Sequence, residues 1–276
     1  MRNLNEQTVT QAVVNLLSGT PDPRLKFVLT SLITHLHNFA RDVKLTEKEL
    51  LAGISFLTAT GQKCDDKRQE FILLSDVLGL SMLTVAMNNE KPEGCTESTV
   101  FGPFHVEGAP VYENGADIAN GAVGEPCLVR GTVKDRNGAP IAGAVLEVWQ
   151  ADAAGNYDVQ YPDLETHQAR GVLTSQDDGS FEFRTVVAVA YPIPVDGPVG
   201  DLLRATERHP WRPAHLHFMI KAKNYETLVT HVFRNGDRYL DSDAVFGVRQ
   251  TLVADWIKQP DGGYTLTYDF VLNPVG

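Results

Sequence analysis

The chain has 276 residues and a formal charge of −11, with 43% hydrophobic and 21% charged residues. At about 150 residues per domain this allows one or two domains, with a core that needs no disulfide framework. The composition excludes a disordered chain, a collagen and a small disulfide scaffold.

The charge is unevenly placed, with a net −1 over residues 1–95 and −10 over 96–276. No basic stripe exists to neutralise phosphates, so nucleic acid is not an expected partner. The longest nearly uncharged apolar stretch, 186–195, contains two prolines and is about half a membrane span, so no span is expected. The first residues, MRNLNE, lack the apolar core of a secretory signal. Cys64, Cys95 and Cys127 are widely spaced and odd in number, which fits a reducing, cytoplasmic setting. None of the three is assigned a role.

Helical periodicity comes first. Val9, Ala12, Val13, Leu16 and Leu17 recur at spacings of three and four, and Leu25, Val28, Leu29, Leu32, Ile33, Leu36 and Phe39 extend the pattern. Thr46 and Glu49 form a capping box that opens a third helix through about Ala59. Residues 66–88 predict a fourth helix, with Phe71, Leu74, Val77, Leu78 and Met82 on one side, and Pro92-Glu93-Gly94 ends the helical region. The apolar content of these helices fits a subunit interface.

From about residue 125 the period becomes two. Residues 128–133 alternate and stop at the turn Asn137-Gly138, and 144–149 make the next strand. Residues 171–174 and 181–184 flank the turn Asp177-Asp178-Gly179, and further strands are expected over 214–221, 227–233 and 263–272. Helices followed by short strands predict an α+β fold: a helical region over 1–95, then a mixed-topology antiparallel β-sandwich over 96–276.

Among eight histidines, two pairs share a spacing of two. His215 and His217 lie on a predicted strand, where alternate residues face one side, so both imidazoles can reach one metal ion or simply be hydrogen-bonded on that face. His35 and His37 lie on a predicted helix, about 200° apart around its axis, and read as structural. No CxxC, HExxH or EF-hand pattern supplies further ligands. Two tyrosines stand out: Tyr157 in a loop just after a strand, and Tyr191 in the segment AYPIP. Each reads either as a packing residue or as a hard phenolate donor suited to ferric iron.

The segments 144–158, 187–198 and RPAHLHF (212–218) together resemble the intradiol ring-cleaving dioxygenases, and the resemblance covers nearly the whole chain. It implies an N-terminal helical dimerisation region, a C-terminal β-sandwich, and one Fe(III) per subunit held by Tyr157, Tyr191, His215 and His217. It further implies a small aromatic diol or triol and O2 as substrates, and a homodimer through the N-terminal helices with room for a lipid at the interface. By the same resemblance the substrate binds as a dianion and Tyr191 is the ligand that leaves and takes a proton. Arg212 stabilises negative charge on the ring, its own charge being insensitive to pH. His231 matches a position that is often glutamine in catechol-cleaving relatives, where it would orient iron-bound solvent or the intermediate.

The segment TESTVFGPF (96–104) resembles that of the family members that cleave hydroxyquinol, benzene-1,2,4-triol. The implied pocket consists of Leu73, Asp76, Val100, Phe101, Gly102, Pro103, Phe104, Ile193, Pro194, Arg212 and Val245. Asp76 is the polar exception in an apolar helix, either solvated or placed to accept a hydrogen bond from the third hydroxyl. Catechol and chlorocatechols are alternative substrates. Outside the family, the alternatives are a zinc hydrolase using the two histidines and a carboxylate, and a transthyretin-like binding module without catalysis.

Overall fold

The chain divides into two compact units, residues 1–59 and 60–276, in a computed structural model that describes residues 2–65, 68–260 and 262–275. The first unit contains α1 (Val9–Leu16), α2 (Pro23–Asp42) and most of α3 (Glu47–Gln62). Its helix starts are written in the sequence. The Asp22 carboxylate accepts from the N–H groups of Arg24 and Leu25 at 2.8 and 3.2 Å, with Pro23 in the first turn. Thr46 and Glu49 bond reciprocally, as the capping box predicts. His37 Nδ1 lies 3.0 Å from Thr10 Oγ1, whereas His35 is exposed, so the helical histidine pair does not converge. Phe27, Leu32, Leu36, Leu51 and Ile54 stay at least half exposed.

In the second unit the helix expected over 66–88 is two helices, α4 (Glu70–Val77) and α5 (Leu80–Asn88), bent by 76°. The break is Gly79, which adopts φ +74° and donates its N–H to the Asp76 carbonyl at 3.0 Å. A left-handed residue after a helix end is where glycine is favoured. Asp66 and Lys67, at the start of the expected helix, lie outside the described residues. Because α4 and α5 cluster with the strands, the compact units divide at 59/60, before the change of sequence period near 95.

The strands are β1 (Pro126–Asp135), β2 (Val145–Trp149), β3 (Arg170–Thr174), β4 (Ser180–Val186), β5 (Tyr191–Pro192), β6 (Trp211–Arg212), β7 (His215–Lys221), β8 (Leu228–Arg234), β9 (Val253–Ala254), β10 (Trp256–Lys258), β11 (Tyr264–Thr267) and β12 (Phe270–Leu272), with α6 (Pro198–Ala205) between β5 and β6. One sheet runs β10-β11-β1-β12 with β4 also on β1, the second runs β3-β2-β7-β8-β9, and β5 pairs with β6. Most pairings are antiparallel, but β11 and β12 both run parallel to β1, and β9 runs parallel to β8. The single strand expected over 263–272 is split at Tyr268-Asp269. There the Asp269 carboxylate takes the Thr132 N–H and the Lys134 ammonium, each at 2.9 Å, in place of ladder bonds.

Alternation decides which side chains enter the core. Val129, Val133, Phe181, Phe183 and Phe270 from the first sheet meet Leu146, Val148, Leu216, Phe218, Ile220 and Val232 from the second. The intervening residues of β2, β7 and β8 therefore face the other side of the second sheet. Burial of these side chains is the main favourable contribution to the fold, at about 1.5–3 kcal/mol per large apolar residue.

Cys127 belongs to this core, and burial pushes its thiol up to about 12. The thiolate is the reactive form. In the native protein near pH 8, iodoacetamide is expected to modify Cys64, which is only partly buried, before Cys127. Peptide mapping by mass spectrometry would show Cys127 labelled only after denaturation. Equal native labelling of the two would contradict this packing.

Candidate metal centre

The outer face of the second sheet carries the polar cluster. On β7, His215 and His217 point away from the core formed by Leu216 and Phe218. On β8, His231 pairs in register with His217. Trp149, at the end of β2, lies opposite His217 in register, and its indole stacks on that imidazole with centroids 4.8 Å apart and planes at 15°. Two loops close over this face. One follows β2 and delivers Tyr157, and the other delivers Tyr191 on β5, where the two-residue ladder sets it directly opposite Arg212.

Four donor atoms converge. His215 Nε2 and His217 Nε2 are 3.2 Å apart, His217 Nε2 is 3.0 Å from the Tyr157 hydroxyl, and the two tyrosine hydroxyls are 3.2 Å apart. All four side chains are buried. His215 Nδ1 donates to the Pro213 carbonyl at 2.6 Å, which makes Nε2 the unprotonated, electron-pair-bearing nitrogen. His231 Nε2 meets Nδ1, the other nitrogen of His217, at 2.8 Å. His231 thus braces the His217 ring from behind, the outer support that metal-ligating histidines usually have. His215, His217 and His231 form the metal-donor cluster of nitrogen, sulfur or carboxylate groups among the described residues, and it contains no carboxylate.

Burial sets the charge state of these side chains. Burial, reinforced by Arg212, pushes His215 down to about 3. Burial and the neighbouring imidazoles hold His217 and His231 well below the ordinary histidine range. All three are therefore neutral bases at pH 7. Burial, then Tyr191, holds the Tyr157 phenol well above its usual value, with Arg212 opposing. A phenolate at this position thus calls for a positive charge beside it. Neutral imidazoles and hard oxygen donors at about 3 Å from one another are a donor set that fits a metal ion.

Arg212 borders the same space, with Nη1 3.2 Å from His215 Nε2 and 3.5 Å from the Tyr191 hydroxyl. Burial opposes its charge, but Asp243 and the tyrosines outweigh that and raise it further. Asp243 accepts from Nε at 3.0 Å and from Nη2 at 3.3 Å. Sequence reasoning missed Asp243, which sits 31 residues from its partner in an irregular segment. It also missed Trp149, although alternation from β2 places that residue on the histidine face.

Beside the donors opens a cavity of about 680 Å3, within the usual range for small-molecule sites. Of the expected pocket residues, Leu73, Pro103, Phe104 and Pro194 line it, together with Arg68, His105, Asp158 and Tyr161. Asp76, Val100, Ile193, Arg212 and Val245 are buried and are not among its walls. Phe104 stacks on Tyr157 at 4.3 Å, and Phe101 touches His105 and Trp149. Gly102 has φ +77°, and a Cβ there would stand 3.1 Å from His217 Cε1, so the loop can lie on the imidazole only as glycine. Asp76 is buried rather than solvated. Burial raises its carboxyl, opposed by Ser81 and Arg212.

Residues 100–274 match the dioxygenase family model, and residues 22–96 match the model for the catechol dioxygenase N terminus. The chain belongs to the intradiol ring-cleavage dioxygenases. It is 70% identical to the 6-chlorohydroxyquinol 1,2-dioxygenase of Cupriavidus pinatubonensis, over 99% of both chains. It is 54% identical to the hydroxyquinol 1,2-dioxygenase of Nocardioides simplex, over 94% of this chain and 88% of that one. The crystal structure of hydroxyquinol 1,2-dioxygenase from Pseudomonas putida superposes with a TM-score of 0.93 at 47% identity, covering 98% of this chain and 99% of the other. The α+β arrangement, helices before a sandwich of mostly antiparallel strands, is the one read from the sequence.

Proposed function

We propose that this protein is a hydroxyquinol 1,2-dioxygenase, cleaving benzene-1,2,4-triol with O2 between its adjacent hydroxyls to 3-hydroxy-cis,cis-muconate, the enol form of maleylacetate, in aromatic catabolism. The observation that carries the reading is the convergence of the Tyr157 and Tyr191 hydroxyls with His215 Nε2 and His217 Nε2. These residues would hold one Fe(III) per subunit, two phenolates and two neutral imidazoles being a donor set matched to a hard trivalent ion. Bound there, ferric iron would withdraw electron density from a chelated catecholate and so open the ring carbon to O2.

The chain's own residues do the rest. Tyr191, on its short ladder, would accept a proton from a substrate hydroxyl. Arg212, fixed by Asp243, presents a permanent positive charge toward the space between Tyr191 and His215 and stabilises negative charge developing on the ring. His231 holds the His217 ring in orientation. The apolar walls Leu73, Pro103, Phe104 and Pro194 give an aromatic ring a surface to pack on. A zinc hydrolase would leave both tyrosines unused and finds no carboxylate in the donor cluster. A transthyretin-like binding module gives the four donors no purpose.

Oxygen uptake by the iron-loaded protein, measured with hydroxyquinol, 6-chlorohydroxyquinol and catechol, tests the reading. Uptake strongly favouring the triols, with a tyrosinate-to-iron band in the visible spectrum, is expected. Equal or faster uptake with catechol would overturn the substrate assignment, and a colourless iron-loaded protein would overturn the ligand set. A relative named for 6-chlorohydroxyquinol at 70% identity favours the chlorinated triol as a second substrate. A homodimer through the N-terminal helices is supported by the exposed Phe27, Leu32 and Leu36 on α2. That apolar face would also accept a lipid chain, and sedimentation would give the assembly state. The three free cysteines fit a cytoplasmic enzyme.

A further inference from the structure

The two tyrosines at the centre do not share the same support. The Tyr157 N–H donates to Gln160 Oε1 at 2.8 Å, its ring stacks on Phe104, and the next residue, Asp158, is locked. One Asp158 oxygen accepts from Arg170 Nε at 2.7 Å and the other from Arg170 Nη2. The N–H groups of Val159 and Gln168 also reach the carboxylate, at 2.9 and 3.3 Å, and His167 Nδ1 lies at 3.3 Å. Both charged side chains are almost wholly buried, at 3% and 2% exposure. Arg170 opens β3 and pairs in register with Trp149, whose ring lies on His217. The fork therefore ties the Tyr157 loop to the strand that also supports a histidine ligand. Tyr191, by contrast, sits on a two-residue strand, and among the described residues its hydroxyl bonds only the Tyr157 hydroxyl and, at 3.5 Å, Arg212 Nη1.

A buried ion pair is a poor device for stability alone. Its desolvation cost roughly cancels its attraction, and apolar replacements of similar volume often do as well. What a bidentate guanidinium–carboxylate pair supplies is fixed geometry. We propose that the Arg170–Asp158 pair is the positioning device that makes the two tyrosines inequivalent, holding Tyr157 at the metal through turnover and leaving Tyr191 as the ligand that can move. The inference rests on the reading of both tyrosines as iron ligands. It assigns the division of labour between them to a buried ion pair that does not itself ligate the metal, although Asp158 borders the cavity.

The test uses Arg170→Lys, which keeps the charge but loses the planar fork, and Asp158→Asn, which keeps an acceptor for Arg170 and for the backbone N–H groups. Wild type and both variants are loaded with iron. Three readouts follow: iron retention against a chelator, the visible tyrosinate band with and without substrate under anaerobic conditions, and kcat and KM for hydroxyquinol. The expected result is a loss of about 10–100-fold in iron affinity or kcat, as for other residues that support metal ligands. KM should stay nearly constant, the resting band should shift, and the band remaining in the anaerobic substrate complex should weaken, because Tyr157 is no longer held. Asp158→Asn is expected to move the same readouts less, and serves alone if Arg170→Lys does not fold. Variants with lower melting temperatures but unchanged bands and kcat would make the pair purely structural and overturn the inference. If iron-loaded wild type shows no tyrosinate band, the ligand reading fails first and takes the inference with it.

Discussion

Asp243→Ala is expected to destabilise the protein by about 3–5 kcal/mol, the usual cost of stranding one partner of a buried ion pair. For a chain of this length that lowers Tm on the order of 10 °C. The Asp243 carboxylate and the Arg212 side chain are 2% and 4% exposed, and Asp243 also accepts from the N–H groups of Val245 and Gly247 at 3.3 and 2.9 Å. Removing it leaves a guanidinium in the interior and two backbone donors unpaired. Function should suffer beyond stability, because Asp243 engages Nε and Nη2 and thereby aims Nη1 at Tyr191 and His215. At temperatures where the variant is folded, kcat is expected to fall on the order of 100-fold, with Asp243→Asn intermediate. Burial would raise the Asp243 carboxyl, but Arg212 outweighs it and holds it below its ordinary value of 3.8. The stabilisation from this group is therefore fully present above pH 3.8 and is lost only as pH falls through the lower folded value. The wild-type and Asn proteins should differ by a constant amount between pH 5 and 8. Thermal melts across that range, with steady-state kinetics at one pH, check both claims. A variant with reduced Tm and full kcat would confine Asp243 to the fold.

What the sequence disclosed follows from what has a local period. The alternation of Leu216, Phe218 and Ile220 into the core makes His215 and His217 neighbours on the opposite face, and that is legible from seven residues. Tyr157 lies in a loop and Tyr191 on a two-residue strand, neither with a period; their settings left packing and phenolate readings both open, and only the family resemblance chose between them. Asp243 escaped because its partnership with Arg212 spans 31 residues and its segment has neither strand nor helix spacing. The break at Gly79 was hidden by the continuity of apolar residues on both sides of it, since an isolated glycine inside a helical pattern is ordinarily tolerated. Tyr268-Asp269 interrupts its strand through a side-chain bond to the backbone of β1, a tertiary event that alternation cannot announce. Trp149 could have been found by counting two residues on from Glu147, once β2 was known to neighbour β7.

That same break at Gly79 gives Asp76 its setting. The turn returns the chain so that Ser81 on α5 acts on the Asp76 carboxyl, and Arg212 and Asp243 are close enough for both to bear on its charge. Asp76 is 6% exposed, burial raises its carboxyl above 3.8, and Ser81 donates a hydrogen bond to it, but among the described residues it has no ion-pair partner of its own. A third hydroxyl on the substrate would add a donor to the one Ser81 already gives the carboxylate, whereas catechol brings no such donor. A hydrogen bond to a charged group is worth about 1.5–3 kcal/mol. Asp76→Ala should therefore lower the ratio of kcat/KM for hydroxyquinol over catechol by on the order of 10–100-fold, mostly through the triol. Asp76→Asn keeps a hydrogen-bonding group and should lose less. The melting temperature supplies the control, because relief of the desolvation cost should roughly offset the lost Ser81 hydrogen bond and leave stability little changed. If the alanine variant keeps the wild-type substrate ratio, Asp76 does not read the third hydroxyl. If it melts far lower instead, the carboxylate serves the α4–α5 turn rather than the substrate.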